Sequence, residues 1–205
     1  TLRDKNGRFL PGISGNPGGR PPEVGNVREM ARDHTEEAIE TLVDLMRHAK
    51  SDWTTGGADH QRPLDKRGRK SAKALGDWLR AQGHVPDHGL CSTATRTRET
   101  FDLLGFDVPV TYEDRLYHAG PVAMTKSLSE AEGACVVMVG HNPGIAGFAH
   151  ELLRRPYHHP RFEDYPTGAT LVAEFDIADW SELRPGTGEA MGFVIPRELL
   201  EESEA

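Results

Sequence analysis

Three polar positions far apart in this chain could act together on a phosphate group. They are the adjacent pair Arg47-His48, then Arg96, then His141. A neutral imidazole can attack phosphorus when it is held in line, and fixed positive charge must then meet the phosphoryl oxygens. Arg47 supplies such a charge next to His48. The pair alone is a weak signal, but a second arginine and a second histidine could complete a site for one dianion.

These residues follow predicted strands in a chain where strands and helices alternate. Helices are predicted over 66–82, 94–104, 122–131 and 143–153, and strands over 41–46, 89–92, 108–112, 134–139, 169–175 and 191–195. Alternation of this kind indicates a three-layer α/β/α domain with a mainly parallel central sheet. Active sites of such sheets lie where strands end and helices begin, so the polar positions are expected to meet at one rim. One alternative stays open, because 42–45 could also prolong a preceding helix.

The first 40 residues differ in composition from the rest of the chain. Residues 1–22 include five glycines and four prolines, which resist regular structure. Apolar residues at helical spacing, with charges between them, predict an amphipathic helix over about 24–40. We therefore predict a flexible Gly/Pro-rich leader plus helix over 1–40 and a folded domain over 41–205.

The charge balance argues against two classes of partner. The chain of 205 residues has 24 Lys+Arg against 32 Asp+Glu, a formal net charge of −8. That balance disfavours broad attraction to nucleic acid or to an anionic membrane. No apolar run approaches the roughly 20 residues that span a bilayer, and the N-terminal stretch lacks the pattern of a signal peptide. We expect a cytoplasmic protein without a membrane partner.

Several motifs, in one order along the chain, resemble the histidine phosphatase superfamily with its phosphoglycerate mutase-like fold. The resemblance is greatest to the SixA-like phosphohistidine phosphatase branch and extends over about 41–199. The matching segments are 47–53 (RHAKSDW), 62–68 (RPLDKRG), 92–100 (STATRTRET), 116–117 (LY) and 140–143 (GHNP). The resemblance implies that His48 is the nucleophile and becomes transiently phosphorylated. It also implies that Arg47, Arg96 and His141 bind the phosphoryl oxygens.

Four further residues are candidates for contact with the substrate. Lys50 and Ser51 follow the predicted nucleophile closely enough to reach a phosphate, although Ser51 could equally cap the next loop. Asn142 could support His141 or form the turn before a proline. His118 lies in the region where larger relatives of the family carry a glutamate acid, so no carboxylic acid is assigned there.

Neither a metal ion nor another cofactor is expected. His158 and His159 are adjacent, so in a strand they would point to opposite faces, and no nearby cysteine or regularly spaced acid completes a site. A solvated loop explains this pair better. The predicted mechanism therefore relies on protein side chains alone.

The departures from the wider family favour one substrate class. Ala49 and Lys50 stand where the mutases have glycine and glutamate, and the segment between 112 and 134 is too short to supply much of a lid. A phosphoramidate needs little acid catalysis, because its imidazole can leave protonated. We expect a phosphohistidine phosphatase that acts on a phosphorylated protein histidine, such as that of a phosphotransfer domain. The first alternative is a phosphatase for small phosphate esters with the same pocket.

The leader has a resemblance of its own. The string 7–21 (GRFLPGISGNPGGRP) resembles the N-terminal segment of an uncharacterised phage-associated family that is sometimes linked to DNA packaging. This likeness covers about the first 43 residues and implies a fusion near residue 41. A second alternative is therefore an inactive, phage-related binding module.

Overall fold

The computed structural model describes residues 41–54 and 56–202. The predicted leader and its helix over 24–40 lie outside the described residues. Six strands are present in this part of the chain: β1 (Thr41–Arg47), β2 (His88–Ser92), β3 (Val110–Glu113), β4 (Cys135–Gly140), β5 (Thr170–Phe175) and β6 (Glu189–Val194). The described helices are α1 (Lys66–Ala81), α2 (Thr95–Leu104), α3 (Pro121–Ser129), α4 (Gly144–Leu152) and α5 (Pro196–Glu202).

The strands form one sheet in the order β3-β2-β4-β1-β5-β6. The first four in this order are parallel, whereas β5 is antiparallel to β1 and β6 is antiparallel to β5. The prediction of a mainly parallel sheet is confirmed. The first strand is also confirmed against the helical alternative, because β1 pairs on both sides along its length.

Helices cover both faces of the sheet, so the predicted three-layer architecture is confirmed. On one face, Val43 and Leu45 of β1 pack in a core with α3 and α4. On the other face, Met46 packs with α1 and α2. Successive residues of β1 serve opposite faces, as the pleat of a strand requires. Asp44 lies between Val43 and Leu45 in this strand and is completely buried.

Several predicted boundaries differ from the observed ones by one or two residues. The third strand begins at Val110 instead of 108, directly after Pro109, whose nitrogen cannot donate to a strand ladder. Helix α3 begins with Pro121, whose fixed φ suits the first helical position, and it ends at Ser129 instead of 131. Within the part described, no helix is long and apolar enough to cross a membrane.

Two glycines allow the backbone to approach closely beside the rim of the sheet. A Cβ at Gly68, in the first turn of α1, would lie 2.1 Å from the carbonyl oxygen of Lys50. A Cβ at Gly144, the first residue of α4, would lie 1.7 Å from the carbonyl oxygen of Ala119. Only glycine fits at such distances. These contacts fix the loops that follow β1 and precede α3 against the starts of two helices.

Candidate active site

The polar positions from the sequence meet at the carboxyl ends of three strands. His48 directly follows β1, His141 directly follows β4, and Arg96 lies in the first turn of α2, just after β2. The strands β2, β4 and β1 are neighbours and run parallel, so their carboxyl ends share one edge of the sheet. The structure thus brings together residues that are up to 93 positions apart (48 to 141) in the sequence.

The His48 imidazole is buried and held in one orientation by two contacts. Its Nδ1 lies 2.7 Å from the carbonyl oxygen of Ala49, which can only accept, so Nδ1 carries the proton. Its Nε2 accepts from Nε of Arg96 at 3.3 Å. Burial lowers the pKa of His48 to about 3, against a smaller opposing effect of the Ala49 contact, and the charges of Arg96 and Arg47 lower it further. At neutral pH, Nε2 is therefore an unprotonated nitrogen with a lone pair.

His141 is also neutral and fixed. Its Nε2 lies 2.9 Å from the Ser92 hydroxyl oxygen, and its Nδ1 lies 3.2 Å from Nη2 of Arg96. Since the guanidinium can only donate, Nδ1 accepts and Nε2 carries the proton. Burial lowers the pKa of His141 to about 2, and the neighbouring His48 and Arg96 contribute to the same shift. The two imidazole rings lie 5.1 Å apart, centroid to centroid.

Arg96 joins the two histidines to an acidic residue. Its side chain is almost completely buried, and besides the two histidine contacts its Nη1 donates to the Asp59 carbonyl oxygen at 2.7 Å. Its Nη2 also lies 3.0 Å from Oδ2 of the Asp59 carboxylate. A buried guanidinium requires partners for its N–H groups and its charge, and Asp59 supplies both.

Arg47 is anchored at one nitrogen and has a second donor available. Its Nη1 donates to the Tyr165 carbonyl oxygen at 2.9 Å. Its Nε is buried and has no hydrogen-bond partner among the described residues. Burial lowers the pKa of Arg47, but a guanidinium stays charged at neutral pH. Asn142 donates to the same Tyr165 carbonyl oxygen at 3.0 Å, so it supports the loop that anchors Arg47.

The remaining candidates lie at different distances from this cluster. Nζ of Lys50 lies 3.6 Å from the Asp65 carboxylate, which caps α1, and Ser51 pairs through its backbone with Leu64. In the part described, these contacts tie the segment after β1 to α1, and they do not join Lys50 or Ser51 to the histidines. The His118 ring lies 6.4 Å from that of His141, and its backbone is in the left-handed region with φ 56°.

Asp59 is a site residue that the sequence does not predict, and besides Arg96 it has two further partners. Oδ1 of Asp59 lies 2.9 Å from Nη1 of Arg62, and Oδ2 accepts from the Tyr117 hydroxyl at 2.6 Å. Arg62 and Tyr117 lie in two of the matched segments, 62–68 and 116–117, but the sequence alone assigns neither a role. Asp59 lies in a short 3-10 turn without an apolar pattern, so the local sequence gives no signal of its role.

The fold and the cluster define a class of protein before any comparison. It is an α/β/α domain that presents a neutral imidazole nitrogen next to the buried Arg96 at the carboxyl edge of its sheet. The model of the histidine phosphatase superfamily, branch 1, matches residues 43–120. An uncharacterised protein of Mycobacterium tuberculosis is 36% identical over 159 residues, which cover 74% of this chain and 100% of that protein.

Two solved structures extend the comparison. A Nakamurella multipartitia protein assigned as the phosphohistidine phosphatase SixA has a TM-score of 0.69 and 30% identity, over 76% of this chain and 96% of that chain. A protein of Agrobacterium tumefaciens with the same assignment has a TM-score of 0.59 and 26% identity, over 76% and 98%. The chain belongs to the histidine phosphatase superfamily, in its SixA-like branch, and it is a phosphatase.

Proposed function

We propose that this phosphatase hydrolyses phosphohistidine in a partner protein and that the phosphoryl group passes through His48. The state of the His48 ring carries the proposal. Nδ1 donates to the Ala49 carbonyl at 2.7 Å, which leaves the lone pair of Nε2 for phosphorus. The low pKa of about 3 keeps this nitrogen unprotonated at neutral pH. No separate base is needed to activate it.

Arg96 and Arg47 stabilise the transferred group in this mechanism. The contact between Arg96 Nε and His48 Nε2 must open when phosphorus approaches, and the freed N–H then donates to a phosphoryl oxygen. The buried Nε of Arg47, which lacks a partner among the described residues, is a second donor. Transferred phosphoryl groups carry charge on three equatorial oxygens, and arginine forks match that geometry.

His141 changes its role when a dianion enters. Its Nδ1 accepts from Arg96, so it offers no N–H to an oxygen in this arrangement. A phosphoryl dianion raises the pKa of a neighbouring imidazole and favours the form with both nitrogens protonated. His141 then donates from Nδ1 to phosphate while Nε2 stays bonded to Ser92.

The second step releases His48. Water attacks phosphorus, the bond between phosphorus and Nε2 breaks, and the electron pair returns to Nε2. Nδ1 keeps its proton and continues to donate it in a hydrogen bond to the Ala49 carbonyl oxygen. The imidazole therefore leaves as the neutral tautomer with which it began. Both protons of the water stay with the phosphate, which is released as H2PO4−, so the ring needs no further proton transfer.

The protonation states beside the nucleophile favour a phosphoramidate substrate. A phosphate ester needs a proton for its departing oxygen, and the groups that contact Arg96 are poorly suited to give one. The Tyr117 hydrogen bond holds the pKa of Asp59 below its ordinary value, so this carboxylate has no proton to give, and the Nδ1 proton that His141 gains when the dianion binds is donated to a phosphoryl oxygen. An imidazole that is already protonated on its other nitrogen leaves without such help. Two structural relatives assigned as phosphohistidine phosphatases support the same substrate class.

A comparison of substrates tests the proposal. We expect kcat/KM for a phosphorylated histidine-containing phosphotransfer protein to exceed that for glucose 6-phosphate. His48→Asn should abolish both activities, and His158→Asn, on an exposed side chain, should leave both unchanged. A clear preference for the sugar phosphate would refute the phosphohistidine assignment. Turnover that survives His48→Asn would refute the mechanism, whereas a wild type that turns over neither substrate would favour the alternative of an inactive domain.

A further inference from the structure

Asp59 is an acidic side chain placed beside the phosphate site. Its Oδ2 lies 3.0 Å from Nη2 of Arg96 and accepts from the Tyr117 hydroxyl at 2.6 Å, while Oδ1 lies 2.9 Å from Nη1 of Arg62. Arg96 contacts His48 through Nε and Asp59 through Nη1 and Nη2. The carboxylate therefore lies along the guanidinium, away from the nucleophile. Asp59 is therefore an acidic side chain that contacts the same guanidinium as the nucleophile.

The carboxylate remains charged at neutral pH. The hydrogen bond from Tyr117 holds the pKa of Asp59 below its ordinary value, and the charges of Arg96 and Arg62 act in the same direction. Its side chain is 44% exposed, so part of the carboxylate faces solvent. Asp59 cannot donate a proton to a leaving group in this state. It can accept a hydrogen bond and stabilise a positive charge.

Flat rings surround the same position. The Tyr117 ring lies 4.8 Å from that of His60 and 4.0 Å from that of His118, centroid to centroid. His118 is exposed, and His60 and Tyr117 are partly exposed. Aromatic rings favour stacked or edge-to-face neighbours at such distances. The surroundings of the carboxylate thus suit a planar, protonated ring better than a sugar or an aliphatic acid.

We propose that Asp59 is a specificity-determining residue that accepts a hydrogen bond from the protonated nitrogen of the leaving imidazole. This inference rests on the proposed function and names how the site selects its substrate. A bond forms between Nε2 of His48 and phosphorus, and the bond between phosphorus and the substrate nitrogen breaks. The electron pair goes to that nitrogen. The other ring nitrogen keeps its proton and donates a hydrogen bond to the Asp59 carboxylate. The imidazole departs neutral.

The same carboxylate opposes ester substrates. The oxygen that leaves an ester gains negative charge, and a neighbouring carboxylate repels it. Asp59 also occupies N–H groups of Arg96 that could otherwise bind phosphoryl oxygens. Removing its charge should therefore change the two substrate classes in opposite ways. A residue that only held Arg96 in place would affect both classes alike.

The test compares Asp59→Asn with wild type on two small probes. N-phosphorylimidazole has the proposed leaving group, and p-nitrophenyl phosphate releases an anion that needs no proton. A hydrogen bond to a charged group suggests a fall in kcat/KM for phosphorylimidazole of about 10- to 100-fold. We expect kcat/KM for p-nitrophenyl phosphate to equal or exceed that of wild type. Retained ester turnover also shows that the variant is folded.

Two further variants complete the experiment. Asp52→Asn is the matched control, because among the described contacts the Asp52 side chain accepts hydrogen bonds only from Thr54, and the substitution should leave both activities unchanged. Asp59→Glu keeps the charge and should restore part of the phosphorylimidazole activity. An equal fall for both probes in Asp59→Asn would overturn the inference while leaving the proposed function intact. A wild type that prefers p-nitrophenyl phosphate would instead refute the proposed function, and the selection by Asp59 with it.

Discussion

Burying His48 as a neutral ring should make the protein sensitive to acid. The pKa of this imidazole is lowered from 6.5 to about 3, so between these values the unfolded chain binds a proton that the folded chain does not. Stability therefore falls as the pH decreases below 6.5. Each pH unit in this window costs about 1.4 kcal/mol. From pH 7 to pH 5, His48 should lower the free energy of unfolding by about 2 kcal/mol, and His141 by a similar amount.

The perturbation is His48→Gln, which removes the titrating ring and keeps a polar side chain. Urea unfolding at pH 7 and pH 5 gives the change in free energy for wild type and variant. We expect the variant to lose about 2 kcal/mol less than wild type over this interval. His158→Gln, at an exposed position, is the control and should behave as wild type.

Wild type and variant must both be measured, because Asp44 changes the free energy of unfolding with pH in the direction opposite to His48. Burial raises the pKa of Asp44 well above its ordinary value, so its contribution to stability grows as the pH falls toward 3.8. The loss seen for wild type alone is thus a sum of opposing effects, whereas the difference between variant and wild type isolates His48. Equal losses for both proteins would refute the conclusion that His48 is neutral in the folded state.

Three other substitutions have expected outcomes that follow from single contacts. Asp44→Asn removes a completely buried acid whose oxygens lack partners among the described residues, and it should raise the free energy of unfolding at pH 7 by about 1–3 kcal/mol in urea titrations. Gly68→Ala places a Cβ 2.1 Å from the Lys50 carbonyl oxygen, so the unfolding free energy should fall by about 1–3 kcal/mol and kcat/KM should decrease. Arg96→Lys keeps the charge but loses the fork, and steady-state kinetics should show kcat/KM lower by about 100- to 1,000-fold.

Each of these expectations has a clear contrary result. A less stable Asp44→Asn protein would mean that the carboxyl has a stabilising role that its contacts do not show. Wild-type stability in Gly68→Ala would mean that α1 shifts freely against the segment after β1. Full activity in Arg96→Lys would mean that a point charge is enough and that the several N–H groups of Arg96 are not used.

The sequence predicted the sheet and the meeting of the strand ends, since both follow from local patterns. Short apolar runs that alternate with helical segments determine a parallel α/β sheet, and motifs at strand ends then share one rim. The direction of β5 and β6 was not predicted, because apolar runs of that length fit either orientation.

Asp59 could not be predicted, because its role depends on contacts that are distant in the chain. It reaches Arg96 across 37 positions and Tyr117 across 58, from a short 3-10 turn without an apolar pattern. Contact of Lys50 with phosphate stays a prediction. In the structure its Nζ lies 3.6 Å from the carboxylate of Asp65, which caps α1. Motif position indicates where a residue lies and does not show which neighbour it binds.

Identification of the phosphorylated atom in the enzyme tests the account most directly. The protein is quenched in base during turnover of a phosphohistidine donor and examined by ³¹P NMR and mass spectrometry. Because Nδ1 of His48 is held on the Ala49 carbonyl, the account predicts one acid-labile phosphoryl group on Nε2 of His48, and none in His48→Asn. A phosphoryl group on Nδ1 or on another residue, or rapid turnover without any phosphorylated enzyme, would contradict it.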